Sequence, residues 1–337
     1  MNTQAPLLNL LVNDEKVFDF QPKTFNDYIG QSNLKQKLEV YTQAAKIRQE
    51  PLDHMLLFGP PGLGKTTLSL IMAQVMGVRN KICSGPLLNR AGDLVAILSG
   101  LETRDILFID EIHRMPTAIE EILYSAMERF QVEVIIGQGA SAQVITLPVQ
   151  PFTLIGATTK AGMISAPLRS RFGIIERLDY YDQTELALII QQSAQFLDIN
   201  ICSDGAQTIA KASRGTPRIA KKIVRRIRDF NQVKNRETTQ NENISLEIVI
   251  QALKFLDIDT QGLTKVDYIL LKTLLEKFNG GPAGIETLAS LIGEDTQTLQ
   301  DVIEPYLLRM GYLEKTPRGR QIPSSMISYV KKIILES

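Results

Sequence analysis

Short apolar runs alternate with helical patterns from about residue 55 to residue 181. Each run is followed by a glycine or an acid, and the clearest are Met55–Phe58, residues 106–109 and residues 152–155. Such runs are typical of strands buried on both faces of a parallel sheet. The pattern predicts an α/β fold, with helices on both faces of a parallel sheet. In such folds, ligands gather at the carboxyl ends of the strands.

The segment before the first strand begins with an aromatic and apolar cluster that ends in a turn glycine. After it, Ser32 can cap a helix that places Leu34, Leu38 and Tyr41 on one face. The spacing therefore predicts an amphipathic helix in front of the sheet.

The pattern changes after residue 181. Residues 182–256 have helical spacing only, apart from a polar loop predicted at 231–243. An amphipathic helix at 266–278, a short helix at 285–292 and a further helix at 298–310 then precede a hairpin containing Gly and Pro, an order typical of a winged helix-turn-helix. The predicted domains are a flexible lead-in at 1–20, a large α/β domain at 21–181, a small all-α domain at 182–256 and a winged-helix domain at 257–337.

Composition and charge narrow the class of protein only slightly. The chain has 337 residues, of which 44% are hydrophobic and 22% charged, ordinary values for a globular protein with two or three domains. Lys plus Arg equals Asp plus Glu at 37 each, so any nucleic-acid contact must be local. The distant Cys83 and Cys202 support neither a disulfide framework nor a zinc site.

The sequence shows no targeting or membrane segment. No basic residue precedes Lys16, so the start of the chain lacks the charged region of a signal peptide. No apolar run reaches the roughly 18 residues needed to span a bilayer. We expect a cytoplasmic location and no membrane contact.

The strongest chemical signal is Gly-Pro-Pro-Gly-Leu-Gly-Lys-Thr at 59–66, which fits the phosphate-binding loop GxxxxGK[ST] and lies between a strand and a helix. Its glycines let backbone N–H groups converge on phosphate oxygens. We expect Lys65 to neutralise the β- and γ-phosphates of ATP and the Thr66 hydroxyl to bind Mg²⁺. The predicted nucleotide contacts of this segment are Gly59, Gly62, Leu63, Gly64, Lys65, Thr66 and Thr67.

A second signal is the pair of acids that ends the strand predicted at 106–109. Beside a phosphate loop, Asp110 is expected to bind the Mg²⁺, and Glu111 is the candidate general base for the attacking water. Alone, the same pattern also fits a strand that ends in two solvated acids. His113, like His54, is interpreted as a structural hydrogen-bonding residue.

Two further segments supply candidate contacts to the γ-phosphate. The strand predicted at 152–155 leads to Thr158 and Thr159, either of which can bond the γ-phosphate or the attacking water. Arg169 and Arg171 follow a turn, and an arginine given to a neighbouring subunit can stabilise a phosphoryl transition state. Without the other motifs, two surface arginines in salt bridges explain this pattern equally well.

The all-α region and the predicted 132–147 hairpin carry weaker signals. Pro217 suits a first helical turn, and Arg218 would face the nucleotide if this small domain covers the site. Five cations at 221–228 form a basic face, for which a solvated or intersubunit role is favoured over DNA contact. The apolar 132–147 hairpin allows either partner docking or plain packing.

The C-terminal hairpin predicts a DNA contact. Lys315, Arg318 and Arg320 stand among Pro and Gly, a composition suited to phosphates rather than to bases. The preceding helix contains Asp301 and Glu304, which make it a poor reader of the major groove. We therefore expect double-stranded DNA to be bound independently of its sequence.

Together these segments resemble the RuvB family over nearly the whole chain. The matching strings are YIGQ at 28–31, GPPGLGKTT at 59–67, DEIHR at 110–114, GQG at 137–139, GATT at 156–159, RSRFG at 169–173, RGTPRIA at 214–220, GGP at 280–282, EPYL at 304–307 and TPRGR at 316–320. The phosphate loop alone indicates an NTPase, whereas the ordered series indicates RuvB.

The resemblance implies an AAA+ ATPase domain, a helical lid and a winged-helix domain, assembled as a hexameric ring that moves duplex DNA at Holliday junctions in recombination and repair. It implies that Tyr28 and Ile29 contact adenine. It also implies that Tyr181 and Arg218 close over the nucleotide and that Arg171 acts on a neighbour's ATP. By the same resemblance, the 132–147 hairpin docks a RuvA-like junction-binding protein, and a RuvC-like resolvase is a further partner.

Two positions depart from the family pattern, because Gln21 and Lys315 stand where the family usually has arginine. The first departure affects one nucleotide contact, and the second keeps the charge but loses the planar fork. The motifs alone also fit an ATP-gated switch such as a clamp loader, or a structural ring subunit. The basic hairpin favours the motor over the loader, and intact Lys65, Asp110 and Glu111 argue against a structural role.

Overall fold

The computed structural model describes residues 20–136, 143–234 and 243–336. Three features of the sequence analysis therefore lie outside the described residues: the lead-in before Phe20, the turn of the 132–147 hairpin with the GQG string, and most of the polar loop at 231–243. The chain divides into two compact units, Met1–Leu197 with Gly215–Lys221 and Asp198–Arg214 with Lys222–Ser337. The division into domains at 181 and 256 stays a prediction.

The first unit contains a parallel sheet of five strands and a separate hairpin. Its strands are β1 (Met55–Phe58), β2 (Asn80–Ser84), β3 (Ile106–Asp110), β4 (Gln131–Ile136), β5 (Gln143–Pro148), β6 (Thr153–Thr158) and β7 (Ile174–Arg177). The sheet has the order β2-β3-β6-β1-β7, and Phe58 pairs with Thr158 while Ile109 pairs with Gly156. Because parallel strands end at one edge, the residues after β1, β3 and β6 lie close together.

Helices surround this sheet. They are α1 (Ser32–Arg48), α2 (Lys65–Met76), α3 (Ala91–Ser99), α4 (Thr117–Arg129), α5 (Ala166–Arg169) and α6 (Gln183–Phe196). The strand side chains Leu56, Leu107 and Leu154 have no exposed surface, as expected for strands covered on both faces. The predicted α/β fold with three apolar strands is confirmed.

Gly156 in β6 allows an unusually close approach by two other segments. A Cβ atom added there would lie 2.9 Å from Ile112 Cδ1 and 3.1 Å from Phe172 Cζ. Both of those side chains are buried. The residues that follow Glu111 and Arg171 therefore both pack against the backbone of Gly156.

The β4–β5 pair forms an antiparallel hairpin at the predicted position, with Gln131 opposite Pro148 and Ile136 opposite Gln143. Val144 and Ile145 in β5 are 63% and 40% exposed. The hairpin therefore presents apolar side chains to solvent rather than packing all of them into the core.

The second unit corrects one prediction. Residues 182–256 are not purely helical, because β8 (Asn200–Ile201) and β9 (Asn243–Ile244) form a small parallel pair. The helices of this region are α7 (Ser203–Ala212), α8 (Pro217–Lys234) and α9 (Leu246–Phe255). The polar loop predicted from residue 231 therefore begins later, because α8 continues to Lys234.

The remainder of the second unit is a winged helix. It contains α10 (Lys265–Phe278), α11 (Ile285–Ile292), α12 (Thr296–Thr298), a π-helical turn (Leu299–Ile303), α13 (Glu304–Arg309), β10 (Glu314–Thr316), β11 (Gly319–Gln321) and α14 (Ile327–Glu336). Leu271, Leu274 and Leu307 are fully buried in its apolar core. The predicted helix at 298–310 thus forms with a π-helical turn. Within the described ranges, no helix is long and apolar enough to cross a membrane.

Candidate nucleotide-binding site

The phosphate loop follows β1 directly. Three of its glycines adopt backbone conformations that other residues rarely adopt. Gly59, Gly62 and Gly64 have φ angles of 143°, 77° and 103°, in the region that favours glycine. A Cβ on Gly59 would lie 2.4 Å from the Leu178 carbonyl oxygen, and one on Gly62 would lie 2.9 Å from Arg218 Cβ. The loop therefore folds tightly against β7 and the start of α8.

Helix α2 begins at Lys65 with its N-terminus open. Its N-cap residue, Gly64, has no side chain that could accept from the first backbone N–H groups, and the first turn contains no acid. Uncapped N–H groups and the helix dipole create a positive potential at this end. These features fit an anion at the loop.

Lys65 is held inside the loop. Its side chain is buried, and its Nζ donates to the carbonyl oxygens of Gly59 at 2.8 Å and Pro60 at 2.9 Å. Burial lowers the pKa of Lys65, although the nearby carboxylates of Asp110 and Glu111 oppose that shift. Among the described residues, the ammonium thus bonds backbone oxygens of the loop, at a site that also suits a phosphate.

The acids after β3 lie at the same edge of the sheet. Asp110 Oδ1 accepts from the Glu111 N–H at 2.9 Å, and Glu111 has a φ of 49°. Glu111 Oε2 lies 3.2 Å from His113 Nδ1 and 3.5 Å from Thr159 Oγ1. The Glu111 carboxylate is therefore turned toward the end of β6.

The end of β6 completes this cluster. Thr158 is fully buried, and its Oγ1 lies 2.9 Å from His113 Nδ1 and accepts from the Lys160 N–H at 2.9 Å. Burial lowers the pKa of His113, which favours the neutral form of the ring, although the nearby Glu111 carboxylate opposes that shift. His113 thus joins Thr158 to Glu111. Sequence reasoning left it out because nothing local separates this histidine from a structural one.

Two tyrosines close the other side of the loop. Tyr28 and Tyr181 are buried, their hydroxyls lie 2.8 Å apart, and each lies 3.2 Å from the Leu63 carbonyl oxygen. Burial raises the pKa of both phenols. Ile29 is half-buried beside Tyr28. Tyr28, for which the resemblance implies an adenine contact, therefore lies against the loop together with Tyr181.

The segment that opens α8 also reaches the loop. The Tyr181 N–H donates to the Gly215 carbonyl oxygen at 3.0 Å, and the Arg218 N–H donates to the Gly62 carbonyl oxygen at 3.4 Å. Pro217 begins α8 and is half-buried, while the Arg218 side chain is exposed. Arg218 thus lies at the loop with an exposed side chain.

Arg171 is placed differently. Its Nη1 donates to the Pro167 carbonyl oxygen at 2.7 Å, its Nη2 lies 2.9 Å from Glu128 Oε1, and its guanidinium carbon lies 4.6 Å above the Tyr124 ring. None of these contacts involves the phosphate loop. The structure therefore does not bring Arg171 together with Lys65 and Glu111.

The three candidate DNA-binding residues of the wing differ from one another. Arg320 Nε lies 2.6 Å and Lys315 Nζ 2.8 Å from the carboxylate of Glu304, which is only 1% exposed. Arg318 is exposed at the turn between β10 and β11. Glu304, considered above only as an acid in a helix, is thus a buried partner of two wing cations.

Three family models match consecutive parts of the chain. They are the Holliday junction DNA helicase RuvB P-loop domain at residues 20–178, the RuvB AAA lid domain at 181–259 and the RuvB C-terminal winged helix domain at 260–331. All three belong to one family of helicases. The match decides against the clamp-loader alternative.

Known relatives agree with these models. The Holliday junction branch migration complex subunit RuvB of Ligilactobacillus salivarius (strain UCC118) is 51% identical over 302 residues, which are 90% of this chain and 88% of the relative. The Thermotoga maritima RuvB Holliday junction branch migration motor is 46% identical, with a TM-score of 0.81 over 92% of this chain and 98% of that chain. A point variant of the same protein gives a TM-score of 0.82 at 46% identity over 93% and 99% of the two chains. The fold and the resemblance inferred from the sequence are confirmed, and the chain belongs to the RuvB family of P-loop Holliday junction DNA helicases.

Proposed function

We propose that this ATP-hydrolysing motor drives branch migration of Holliday junctions with a catalytic site formed by Lys65, Asp110, Glu111 and Thr158. The main support is that the phosphate loop, the paired acids and the buried threonine lie at the ends of three neighbouring strands of the sheet. Lys65 and Glu111 come from segments about 45 residues apart in sequence, so local composition alone does not explain their meeting. An ATP phosphate chain fits this edge of the sheet.

Nucleotide binding uses the open end of α2. The first N–H groups of this helix are available to phosphate oxygens, because its N-cap residue Gly64 provides no side-chain cap. Lys65 exchanges its bonds to the Gly59 and Pro60 carbonyl oxygens for bonds to the β- and γ-phosphates. That exchange replaces neutral acceptors with charged ones and is favourable.

Mg²⁺ is expected as the metal ion. Thr66 stands half-buried at the start of α2 and Asp110 ends β3, which are one hydroxyl and one carboxylate, the oxygen donors that Mg²⁺ prefers. The described residues contain no group of three or more His, Cys, Asp or Glu arranged to hold a metal by themselves. The two protein oxygens therefore fit a metal shared with phosphates. When bound, Mg²⁺ neutralises charge on the β- and γ-phosphates.

Glu111 is the general base in this proposal. Its carboxylate takes a proton from the attacking water as the water oxygen bonds to the γ-phosphorus and the bond to the β-phosphate oxygen breaks. Thr159 and His113 contact Glu111 and support its orientation. Thr158, bonded to His113, stands at the strand end where a γ-phosphate oxygen is expected.

Arg171 is proposed to act on the ATP of a neighbouring subunit. Its contacts lie away from its own phosphate loop, which supports a role in trans within a homo-oligomeric ring. A hexamer is the assembly that the family resemblance implies. Tyr28 and Ile29 are proposed to contact adenine, and Tyr181, Pro217 and Arg218 are proposed to close over the nucleotide.

DNA contact is proposed for the three cations of the wing. Arg318 is exposed, whereas Lys315 and Arg320 are paired with Glu304. These cations suit phosphates, so binding to duplex arms of a four-way junction is proposed to be independent of sequence. The exposed Val144 and Ile145 of the β4–β5 hairpin support docking of a RuvA-like partner. A RuvC-like resolvase and a cytoplasmic location complete the proposal.

The decisive experiment measures ATP turnover and strand exchange on a four-way junction with Glu111→Gln. The variant is expected to bind ATP but to lose hydrolysis and branch migration, because the amide cannot take the proton. Glu121→Gln on α4 is the matched control, since Glu121 is an exposed glutamate outside the site. Normal turnover by Glu111→Gln would show that another group is the base.

A further inference from the structure

Arg171 has a more elaborate environment than a surface cation needs. Its side chain is 24% exposed, its guanidinium stacks over the Tyr124 ring at 4.6 Å, and its Nε is buried without a hydrogen-bond partner. Within the described part of the chain, its ion-pair partner is Glu128, which is 49% exposed. An ion pair this exposed exchanges readily, because water and salt compete with it.

The ring beneath Arg171 is itself fixed from behind. The Tyr124 hydroxyl lies 2.9 Å from both Glu120 Oε2 and Ser165 Oγ, and Ser165 Oγ donates to Glu120 Oε2 at 2.7 Å. Glu120 is only 6% exposed. Ser165 also caps α5, the helix that leads to Arg171, by accepting from the Leu168 N–H at 3.3 Å. One buried carboxylate thus anchors both the ring and the segment that carries the arginine.

We propose that Tyr124 is a positioning residue for Arg171, whose ring holds the guanidinium in the plane needed to reach a neighbouring subunit's γ-phosphate. This inference rests on the proposed role of Arg171 in trans. The ring restricts rotation of the guanidinium, whose Nη1 also donates to the Pro167 carbonyl oxygen. Nη2 pairs with Glu128 until a more highly charged phosphate replaces that carboxylate.

The test uses rings mixed from two kinds of subunit. Glu111→Gln subunits lack the base but carry a complete Arg171 environment, whereas Tyr124→Leu subunits keep the base but lack the ring. Tyr124→Leu alone is expected to lower kcat about tenfold, the size of a lost cation–π contact at a partly buried site, with little change in nucleotide affinity. Mixing with Glu111→Gln subunits should restore ATP turnover, counted per Tyr124→Leu subunit. In such a ring the neighbouring Glu111→Gln subunit supplies an arginine that is held in position.

Tyr124→Phe is the conservative variant. It keeps the ring and loses the hydroxyl, so its kcat is expected to stay within about threefold of wild type. A loss as large as that of Tyr124→Leu would assign the effect to the Glu120 and Ser165 bonds and overturn the role of the ring. Failure of mixing to restore Tyr124→Leu would likewise overturn it, because a defect in the variant's own fold is not repaired by a neighbour.

Arg171→Ala separates this inference from the function it rests on. If mixing with Glu111→Gln restores Arg171→Ala but not Tyr124→Leu, the role in trans holds and only the positioning role fails. If mixing does not restore Arg171→Ala, the role in trans fails and the inference fails with it.

Discussion

Arg320 and Arg318 lie two residues apart in the wing, yet they should respond differently to replacement by alanine. Arg320→Ala removes a bond of 2.6 Å from Nε to Glu304 Oε1 and a longer one of 3.4 Å from Nη2 to Glu304 Oε2. Glu304 is 1% exposed, so water cannot easily replace the lost donor. Arg318→Ala removes only an exposed side chain that has no ion pair among the described residues.

The magnitude follows from what remains around Glu304. A hydrogen bond to a charged group contributes about 1.5–3 kcal/mol, and an unpaired buried acceptor costs about the same. Lys315 Nζ stays 2.8 Å from the other oxygen and continues to neutralise the carboxylate. We therefore expect Arg320→Ala to destabilise the winged helix by about 2 kcal/mol. That corresponds to a fall of roughly 8–16 °C in the melting transition of a domain of the size of the winged helix.

Scanning calorimetry and DNA titrations at several salt concentrations measure the two effects separately. Arg318→Ala should melt within about 0.5 kcal/mol of wild type. It should also bind duplex DNA with a salt slope reduced by about one, the signature of one lost phosphate contact. Equal melting of the two alanine variants, or a stable Arg320→Ala, would refute the assignment of Arg320 to Glu304.

Three other changes test the remaining structure. Gly59→Ala should abolish tight nucleotide binding in a fluorescence titration, because a Cβ there lies 2.4 Å from the Leu178 carbonyl oxygen; Gly162→Ala, with nothing within 4 Å, should bind normally. Leu38→Ala, at a fully buried position, should lower the free energy of unfolding by about 2–5 kcal/mol, whereas Val40→Ala, 63% exposed, should change it little. Burial lowers the pKa of His54 below 6.5, and its Nδ1 accepts from the Leu154 N–H at 2.9 Å. The unfolded chain therefore takes up the proton first, so stability contributed by neutral His54 is present above about pH 6.5 and lost as the pH falls below it. His54→Phe should flatten that part of the stability profile in denaturant titrations, and an unchanged slope would contradict this explanation.

The parts of the fold that depend on local pattern could be predicted from the sequence. The three apolar strands and the phosphate loop are each encoded within a few consecutive residues. Helix α1 shows where periodicity misleads, because its buried face uses Thr42 rather than the predicted Tyr41. The Thr42 hydroxyl donates to the Leu38 carbonyl oxygen at 2.7 Å, so this polar group is buried with a hydrogen-bond partner. A pattern of apolar residues does not show such a partner.

Contacts between distant segments could not be predicted in the same way. The β8–β9 pair joins two-residue strands that are 43 positions apart, too short for any alternation to appear. The pairing of Glu304 with Arg320 and Lys315 depends on how the wing folds back on α13. For the same reason, the sequence showed cations suited to DNA but not which of them a buried carboxylate already holds.

The backbone of Gly156 links the segment that carries Glu111 to the segment that carries Arg171, because a side chain from each packs against it. Ile112 follows Glu111, the proposed base, and Phe172 follows Arg171, which is proposed to act on the ATP of a neighbouring subunit. Both side chains pack so close to Gly156 that an added Cβ would lie only 2.9 Å from Ile112 Cδ1 and 3.1 Å from Phe172 Cζ, which leaves no room for it. A methyl group at this position would push on both segments at once. Replacement of Gly156 is therefore expected to disturb the segments of Glu111 and Arg171 together.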